Sequence, residues 1–159
     1  MARKPPKQDP TIENRRARFD YAISDTLEVG MVLAGPEVKS VRDGRVSLAE
    51  GYIRVQEDPL ALYLHSVNID EYGPAAGGPD RPAMARTRKL LAHRREILKL
   101  ARQVEQKGMT ILPLKLYFKN GFAKLLIGLG KGRSRFDKRQ TISARESKRD
   151  VDRAMSRKR

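Results

Sequence analysis

An Asn120-Gly121 pair between two apolar runs, residues 109–118 and 122–129, is the feature that most limits what this chain can fold into. A tight turn between paired strands needs positive φ at both central positions, and Asn-Gly meets that requirement with little strain. Each run also has the length of an ordinary strand. The pattern therefore predicts an antiparallel hairpin made of these two runs.

Five segments upstream of the hairpin also have the composition of strands. In residues 19–23 the large apolar side chains fall at every second position, the period of a strand with one buried face. The other segments are 29–34, 46–48, 52–55 and 60–65. Many short strands without regular strand-helix alternation predict a mainly β fold, a small antiparallel β-barrel with about three flanking helices.

Two segments are typical of helices. Pro36 and Glu37 suit a first helical turn, and Gly44 suits the end of the short helix that they would begin. Between Arg86 and Lys107 apolar residues recur at helical spacing, which predicts one long helix. Residues 73–83 are rich in glycine and proline and are predicted to form a mobile loop.

The positive charge of the chain is concentrated at its two ends. Of the formal net charge of +15, residues 1–18 contribute +4, residues 131–159 contribute +8, and residues 19–130 contribute +3. A near-neutral domain with basic ends suits a polyanion, because each neutralised phosphate releases counterions. We expect a folded domain over 14–130, with a disordered basic arm over 1–13 and a basic tail after it.

Several classes of protein are excluded or disfavoured. The sequence contains no cysteine, which excludes disulfides and thiolate zinc sites. Its two histidines, His65 and His93, have no H-E-x-x-H, P-loop or G-x-S-x-G pattern beside them, and its acids form no evident metal cluster. Neither a secretory signal nor a membrane-length apolar run is visible. We expect a soluble, cytoplasmic protein without catalytic residues, metal, cofactor or membrane contact.

The stretch from Gly128 to Arg139 joins the apolar region to the basic tail. It holds three glycines in five residues, five cations from Lys131 onward, and one aromatic residue, Phe136. Cations hold phosphates and an aromatic ring stacks on a base, which favours a nucleic-acid contact. A flexible, solvated linker accounts for the same twelve residues equally well.

The tail beyond this stretch is too polar to fold alone. Between Thr141 and Met155 the other large apolar residues are Ile142 and Val151, too few to form a core. We expect the tail to be disordered in isolation and to become helical against phosphates, with Thr141 as the N-cap. A further polar set, Glu28, Glu37, Lys39 and Arg42, is either RNA-facing or the solvated side of an amphipathic turn.

Five segments together resemble the small protein B family, whose members bind transfer-messenger RNA (tmRNA) in bacterial trans-translation. They occur in the family's order and extend over nearly the whole chain. The segments are residues 14–21 (NRRARFDY), 35–46 (GPEVKSVRDGRV), 88–93 (RKLLAH), 107–121 (KGMTILPLKLYFKNG) and 131–139 (KGRSRFDKR).

The resemblance implies an oligonucleotide-binding-fold-like (OB-like) β-barrel, no cofactor and no turnover. It implies that the barrel grips the tRNA-like domain of tmRNA and that the tail enters the decoding centre and empty mRNA channel of a stalled ribosome. The tail would become helical there, and the RNA would accept the nascent peptide and encode its tag. Elongation factor Tu would be a partner only indirectly, through the RNA.

The resemblance also assigns residues by position. For the RNA face of the barrel it implies Asn14, Arg16, Glu28, Lys39, Lys89 and Lys124. For the tail motif that meets the ribosome it implies Lys131, Gly132, Arg133, Phe136, Asp137, Lys138 and Arg139. The chain departs from the usual pattern at Ser134, where a basic residue is usual, and at Phe136, where Tyr or His is usual. Phe136 keeps a ring for stacking and lacks the polar atom.

Two alternatives remain open. A ribosomal protein whose basic tails thread rRNA has the same composition, and only the motif set separates it from the family above. An RNA-modifying enzyme is the second alternative, disfavoured because no nucleophile, metal cluster or acid-base cluster is evident.

Overall fold

The computed structural model describes residues 8–73, 78–79 and 83–157. Within them the strands are β1 (Ile12–Glu13), β2 (Tyr21–Met31), β3 (Val46–Ser47), β4 (Tyr52–Gln56), β5 (Ala61–His65), β6 (Asn68–Ile69), β7 (Arg88–Leu91), β8 (Thr110–Lys119) and β9 (Phe122–Gly132). The helices are α1 (Arg15–Asp20), α2 (Gly35–Arg42), α3 (Arg94–Lys107) and α4 (Arg135–Arg157). The fold is mainly β, as predicted. In the described part of the chain no helix is long and apolar enough to span a membrane.

Six of the strands close into a ring. The larger sheet has the order β1-β8-β4-β5-β7-β2-β9, and β8 also pairs with β9. Starting at β8 and passing through β4, β5, β7, β2 and β9, the pairs return to β8, and we call these six strands the strand ring. β1 adds to β8, and β3 pairs with β6 in a separate small sheet. Every strand of the ring therefore has a neighbour on both sides.

The hairpin predicted from Asn120-Gly121 is confirmed. β8 and β9 pair up to the turn, where Lys119 lies opposite Phe122. Asn120 and Gly121 have φ values of 52° and 78°. Positive φ at both positions matches the turn to the twist of the strands.

The inward face of the ring is filled by branched apolar side chains. Leu62, Leu64 and Leu125 are completely buried, and Leu100 of α3 belongs to the same cluster. α3 packs against β4 and β8. Because alternate side chains of a strand point to opposite faces, the residues between these leucines form an outward surface. That surface holds most of the predicted RNA-binding residues that lie on strands.

The long helix predicted from Arg86 is wrong in its first part. Residues 88–91 form β7, which pairs with β2 and β5, and α3 begins only at Arg94. In β7, Arg88 and Leu90 are buried while the residues that follow each of them are exposed. This alternation fits a strand with one buried face, and burial in the ring overrides the helical spacing of the leucines.

The two strands predicted at 19–23 and 29–34 form one strand instead. β2 extends from Tyr21 to Met31, and Phe19 belongs to α1. The polar residues in the middle of β2 pair with β9, with Asp25 opposite Leu129. A polar segment forms a strand here because its backbone pairs with β9, while Ser24, Thr26 and Glu28 are exposed and Asp25 forms an ion pair with Lys99 of α3 at 3.2 Å.

Order begins earlier than predicted, since β1 pairs with β8 before Asn14 is reached. Residues 1–7 of the predicted disordered arm lie outside the described residues. Within the loop predicted over 73–83, the same holds for residues 74–77 and 80–82. The pairing of β3 with β6 was not predicted, because each contributes only two residues.

Candidate nucleic-acid interface

Three neighbouring pairs of strands bring the predicted strand residues together. Gly30 of β2 lies opposite Leu91 of β7 on one side and opposite Lys124 of β9 on the other. Lys124 in turn lies opposite Tyr117 of β8. Directly opposed residues share a face, and Glu28, two residues before Gly30, shares it as well. We call this outward surface the ring face; it consists of Glu28, Lys89, Leu91, Tyr117, Lys119 and Lys124.

Glu28 is an acid within this basic surface. The Tyr117 hydroxyl donates a hydrogen bond to Glu28 Oε2, and Lys119 Nζ lies 3.5 Å from Oε1. The Tyr117 hydrogen bond, together with the positive charges of Lys119 and Lys124, lowers the pKa of Glu28 below its usual value. Burial, reinforced by that hydrogen bond, raises the pKa of Tyr117 to about 12. The ionised carboxylate holds the Tyr117 and Lys119 side chains in place. Its remaining lone pairs can accept a hydrogen bond from a base N–H or a ribose hydroxyl.

Leu91 is a member of the ring face that sequence reasoning missed. Its side chain is 55% exposed, although it is a large apolar residue. A Cβ at Gly30 would lie only 3.2 Å from Leu91 Cβ, so glycine there lets Leu91 pack close to β2. The alternation of buried and exposed residues in 88–91 would have identified Leu91 had the segment been assigned as a strand. An exposed leucine among cations offers apolar contact to an exposed base.

The two other predicted lysines, Lys89 and Lys39, lie on different elements. Lys89 is exposed on β7 beside Leu91, and not on a helix as predicted. Lys39 is exposed on α2, and its Nζ lies 5.1 Å from the centre of the Tyr72 ring. The structure therefore places Lys89 on the ring face and Lys39 outside it.

A buried ion pair fixes α2 against β7. Glu37 Oε1 accepts hydrogen bonds from Arg88 Nη2 at 2.7 Å and Arg86 Nε at 2.8 Å, and both Glu37 and Arg88 are almost fully buried. Burial alone would raise the pKa of Glu37, but the hydrogen bonds from Arg86, the Ala34 N–H and Arg88 outweigh it and lower that pKa. Glu37 is thus a buried anchor, and the readings of it as RNA-facing or solvated are both wrong.

Asn14 has a structural role. It is 3% exposed and is the N-cap of α1, where Oδ1 accepts a hydrogen bond from the Ala17 N–H at 3.0 Å. Its Nδ2 donates to the carbonyl oxygens of Leu48 and Pro113, both at 2.9 Å. Both donors and one acceptor position of the amide are used inside the protein, so Asn14 holds α1 in place, and the RNA contact assigned to it stays a prediction.

Arg16 lies on α1 and belongs to a different surface from the ring face. It forms ion pairs with Glu50 and with Asp20, the latter at 3.4 Å. Its side chain remains 60% exposed. Its charge is accessible but already partly compensated by two carboxylates.

The glycines between 128 and 132 do not form a flexible linker. β9 continues to Gly132, which lies opposite Tyr21, and Lys131 lies opposite Ala22. A Cβ at Gly128 would lie 2.6 Å from Leu114 Cδ1, so the absence of a side chain lets Leu114 of the neighbouring strand β8 pack against the β9 backbone. Lys131 and Gly132 are exposed at the end of a paired strand, and the Arg133 N–H donates to the Asp20 carbonyl at 2.9 Å.

Ser134 and Asp137 cap the tail helix. Asp137 Oδ2 accepts hydrogen bonds from the Ser134 hydroxyl at 2.7 Å and its N–H at 3.2 Å, and the Asp137 N–H donates to Ser134 Oγ. These bonds from Ser134 lower the pKa of Asp137. Ser134 is thus the N-cap, and the prediction of Thr141 is wrong: Thr141 lies inside α4, where its hydroxyl accepts from Arg133 Nη1. The Ser-x-x-Asp spacing is a readable capping signal that sequence reasoning missed.

The remaining tail residues divide into a tethered and a free set. Lys138 Nζ lies 2.9 Å from Asp20 Oδ1 of α1, and this contact is the main cause that lowers the pKa of Asp20. Arg145 lies over the Phe19 ring at 5.7 Å. Phe136 is 67% exposed. Arg139 is also exposed, so a cation and an aromatic ring at the base of α4 are open to a partner.

The two histidines lie on different elements and make separate contacts. His65 stacks on Tyr52, with ring centres 5.1 Å apart and planes 10° from parallel. His93 is the residue before α3 and donates its N–H to Glu96 Oε2. Among the described residues no group of three or more His, Cys, Asp or Glu could hold a metal ion.

A closed strand ring with cations and exposed apolar groups on its outer face, followed by a basic helix, is the arrangement of an RNA-binding protein. Comparison with known proteins gives the particular family: the family model described as SmpB protein matches residues 11–157, and the chain belongs to this family.

Curated relatives agree over nearly full length. The chain is 49% identical over 146 residues to an SsrA-binding protein of Halalkalibacterium halodurans, which covers 92% of both chains. It is 48% identical over 147 residues to an SsrA-binding protein of Thermobifida fusca, covering 92% of this chain and 89% of that protein. A solved structure described as "tmRNA-SmpB: a journey to the center of the bacterial ribosome" contains a chain with 42% identity and a TM-score of 0.65, covering 84% of this chain and 94% of that chain.

Proposed function

We propose that this protein is a non-enzymatic RNA-binding protein that binds the tRNA-like domain of tmRNA and delivers it to stalled ribosomes for trans-translation. The observation that carries the proposal is the SmpB family match over residues 11–157. The curated relatives are SsrA-binding proteins, and the similar solved chain comes from a tmRNA-SmpB ribosome structure. The ring face supplies a chemistry that suits the task, with three lysines, a leucine, a tyrosine and a carboxylate on one outward surface.

The strand ring is, in this proposal, an OB-like barrel that holds the RNA. A folded tRNA-like RNA is recognised by shape, phosphates and exposed bases rather than by groove sequence. Lys89 and Lys124 are proposed to contact phosphates, Glu28 a base or ribose donor, and Leu91 an exposed base. Lys39 is proposed as a peripheral phosphate contact on α2, and Arg16 as one on α1.

The tail is proposed to act on the ribosome, at the decoding centre and in the empty mRNA channel. Phe136 would stack on rRNA there, and Lys131, Arg133, Lys138 and Arg139 would contact phosphates, with Gly132 ending the strand and Asp137 capping the helix. The Ser134 cap supports this because it lowers the cost of forming α4 against a polyanion. Off the ribosome we propose that α4 exchanges with disordered states, since none of its residues is buried. Elongation factor Tu would be contacted only through the RNA.

The rival reading is a ribosomal-protein-like rRNA binder. The two functions differ in the RNA that the ring face must bind. A tmRNA-binding protein must bind a free tRNA-like RNA, whereas a ribosomal protein need not. Binding to such an RNA fragment in the absence of ribosomes therefore distinguishes them.

The test compares Lys124→Ala with Lys107→Ala, an exposed lysine at the end of α3 that lies outside the ring face. Affinity for a tRNA-like RNA fragment is measured by fluorescence anisotropy over a series of salt concentrations. We expect Lys124→Ala to weaken binding by about tenfold and to reduce the salt slope by about one, because one phosphate contact is lost. Equal effects of the two substitutions, or failure of the wild-type protein to bind the fragment, would refute the proposed function.

A further inference from the structure

The outward face of β4, β5 and β7 carries a group of aromatic and basic residues, of which the proposed site uses only Lys89. Tyr52 and Arg54 of β4 lie opposite His65 and Tyr63 of β5, and Tyr63 lies opposite Lys89 of β7. The positions that alternate with them on the same strands point inward, where Ile53, Leu62, Leu64, Arg88 and Leu90 are buried. The aromatic and basic residues therefore share one outward surface.

Two of the rings already form a stack with a cation beside it. The Tyr52 and His65 rings are nearly parallel, and the Arg54 guanidinium lies 5.5 Å from the centre of the Tyr52 ring. Burial, with a smaller contribution from Arg54, lowers the pKa of His65, which favours the neutral imidazole. Thr87 Oγ1 lies 3.3 Å from His65 Nδ1 and fixes the orientation of that ring.

Tyr63 completes the surface. It is half-buried, and cross-strand register places it between Arg54 and Lys89, both exposed. Arg54, Tyr63, His65 and Thr87 also line a shallow depression. The strands β4, β5 and β7, all within the described residues, contain no Asp or Glu.

We propose that Tyr52, Arg54, Tyr63, His65 and Lys89, which we call the aromatic platform, bind an unpaired nucleotide of the same RNA. This inference rests on the proposed function and extends its RNA footprint. Aromatic faces stack on bases of any sequence, and flanking cations hold the adjoining phosphates. An acidic peptide would contact only the cations, and an apolar peptide would contact only the aromatic rings.

The platform is continuous with the ring face. Lys89 belongs to both surfaces, and β7 leads directly to β2, where Leu91 lies opposite Gly30. One RNA can therefore contact the ring face through its folded region and the platform through an unstacked nucleotide.

The platform is tested with full-length Tyr63→Ala, Tyr63→Phe and Leu98→Ala, the last removing an exposed apolar side chain from α3 as the control. Each protein is titrated with two probes, a tRNA-like RNA fragment with 2-aminopurine in its unpaired loops and a fully paired RNA hairpin stem. We expect Tyr63→Ala to weaken binding of the loop-containing fragment between about 5- and 100-fold, the range found for loss of one stacked base. Tyr63→Phe and Leu98→Ala should bind it within about twofold of wild type, and the 2-aminopurine quenching should disappear only in Tyr63→Ala.

The outcomes separate the platform from the proposed function. If wild type binds the fragment and Lys124→Ala weakens it, but Tyr63→Ala binds with unchanged affinity and quenching, the proposed function stands and the platform is wrong. Equal weakening of both probes by Tyr63→Ala, with a lowered melting temperature, also overturns the platform, because the tyrosine then acts through the fold. If wild type does not bind the fragment, both inferences fail.

Discussion

The strand ring and the tail helix α4 are held in place by very different interactions. In the ring, leucines such as Leu62, Leu64 and Leu125 are completely buried and every strand is paired on both sides. No residue of α4 is buried, and its base is tethered by the Lys138–Asp20 ion pair and the Arg145–Phe19 contact. Groups on the ring are therefore fixed relative to one another, whereas those on α4 are free to adapt.

This difference matches two kinds of recognition. A preformed RNA surface is bound best by groups in fixed positions, because little conformational entropy is then lost on binding. A narrow channel lined with phosphates is entered more easily by a segment that orders as it binds. Substitutions in the strand ring should therefore change the free energy of unfolding much more than substitutions in α4.

The largest effect is expected for Glu37→Gln, which removes the charge that compensates buried Arg88. Leaving a buried guanidinium unpaired should reduce the free energy of unfolding by about 3–5 kcal/mol. The pKa of Glu37 is lowered in the folded state, so its stabilisation is present above the ordinary value of 4.5 and is lost as pH falls through the lower folded value. Denaturant unfolding at a series of pH values should show that the variant has lost part of its acid sensitivity. An unchanged pH profile would contradict this role of Glu37.

A core substitution should separate the two regions directly. Leu64→Ala removes a completely buried side chain of the ring and should cost about 2–5 kcal/mol of unfolding free energy. Met155→Ala changes α4, where the side chain is 67% exposed, and should cost less than about 0.5 kcal/mol. Equal losses in urea unfolding would show that α4 belongs to the same cooperative unit as the ring.

The smallest effect is expected for Ser134→Ala, which removes the hydroxyl that caps α4. We expect lower helicity and faster amide hydrogen exchange over residues 135–141, because an N-terminal cap is lost. The unfolding midpoint of the ring should not change. Ser134→Thr keeps a hydroxyl and serves as the control, and a loss of ring stability in Ser134→Ala would mean that the cap supports more than the tail.

The parts of the fold predicted correctly are those determined by nearby residues. The hairpin at Asn120-Gly121 follows from a two-residue turn, and the short helix α2 follows from Pro36, Glu37 and Gly44. The Ser134 cap is also determined by nearby residues, through the Ser-x-x-Asp spacing. It was missed because Ser134 was interpreted only as a replacement for the family's usual basic residue.

The errors involve contacts between distant parts of the chain. Residues 88–91 were predicted to be helical because no neighbouring residue indicates that Arg88 is buried. Its partner Glu37 lies 51 residues earlier in the sequence. Asn14 read as a polar surface residue because its partners, Leu48 and Pro113, are 34 and 99 residues away. Glu28 and Lys124 were assigned to the RNA face from the family resemblance, and only the strand register identified Leu91 and Tyr117 as their neighbours.

The central claim is that the ring alone binds the tRNA-like RNA and that α4 serves the ribosome. The most direct measurement compares the full chain with a chain ending at Ser134, which keeps Lys131 and Arg133 in the β2–β9 region. Affinity for a tRNA-like RNA fragment is measured at physiological salt, where the general attraction of a basic tail is weakened. We predict that the shortened protein binds within about threefold of the full chain and no longer supports tagging on stalled ribosomes. A loss of affinity beyond about tenfold, with the ring still folded by circular dichroism, would contradict the claim.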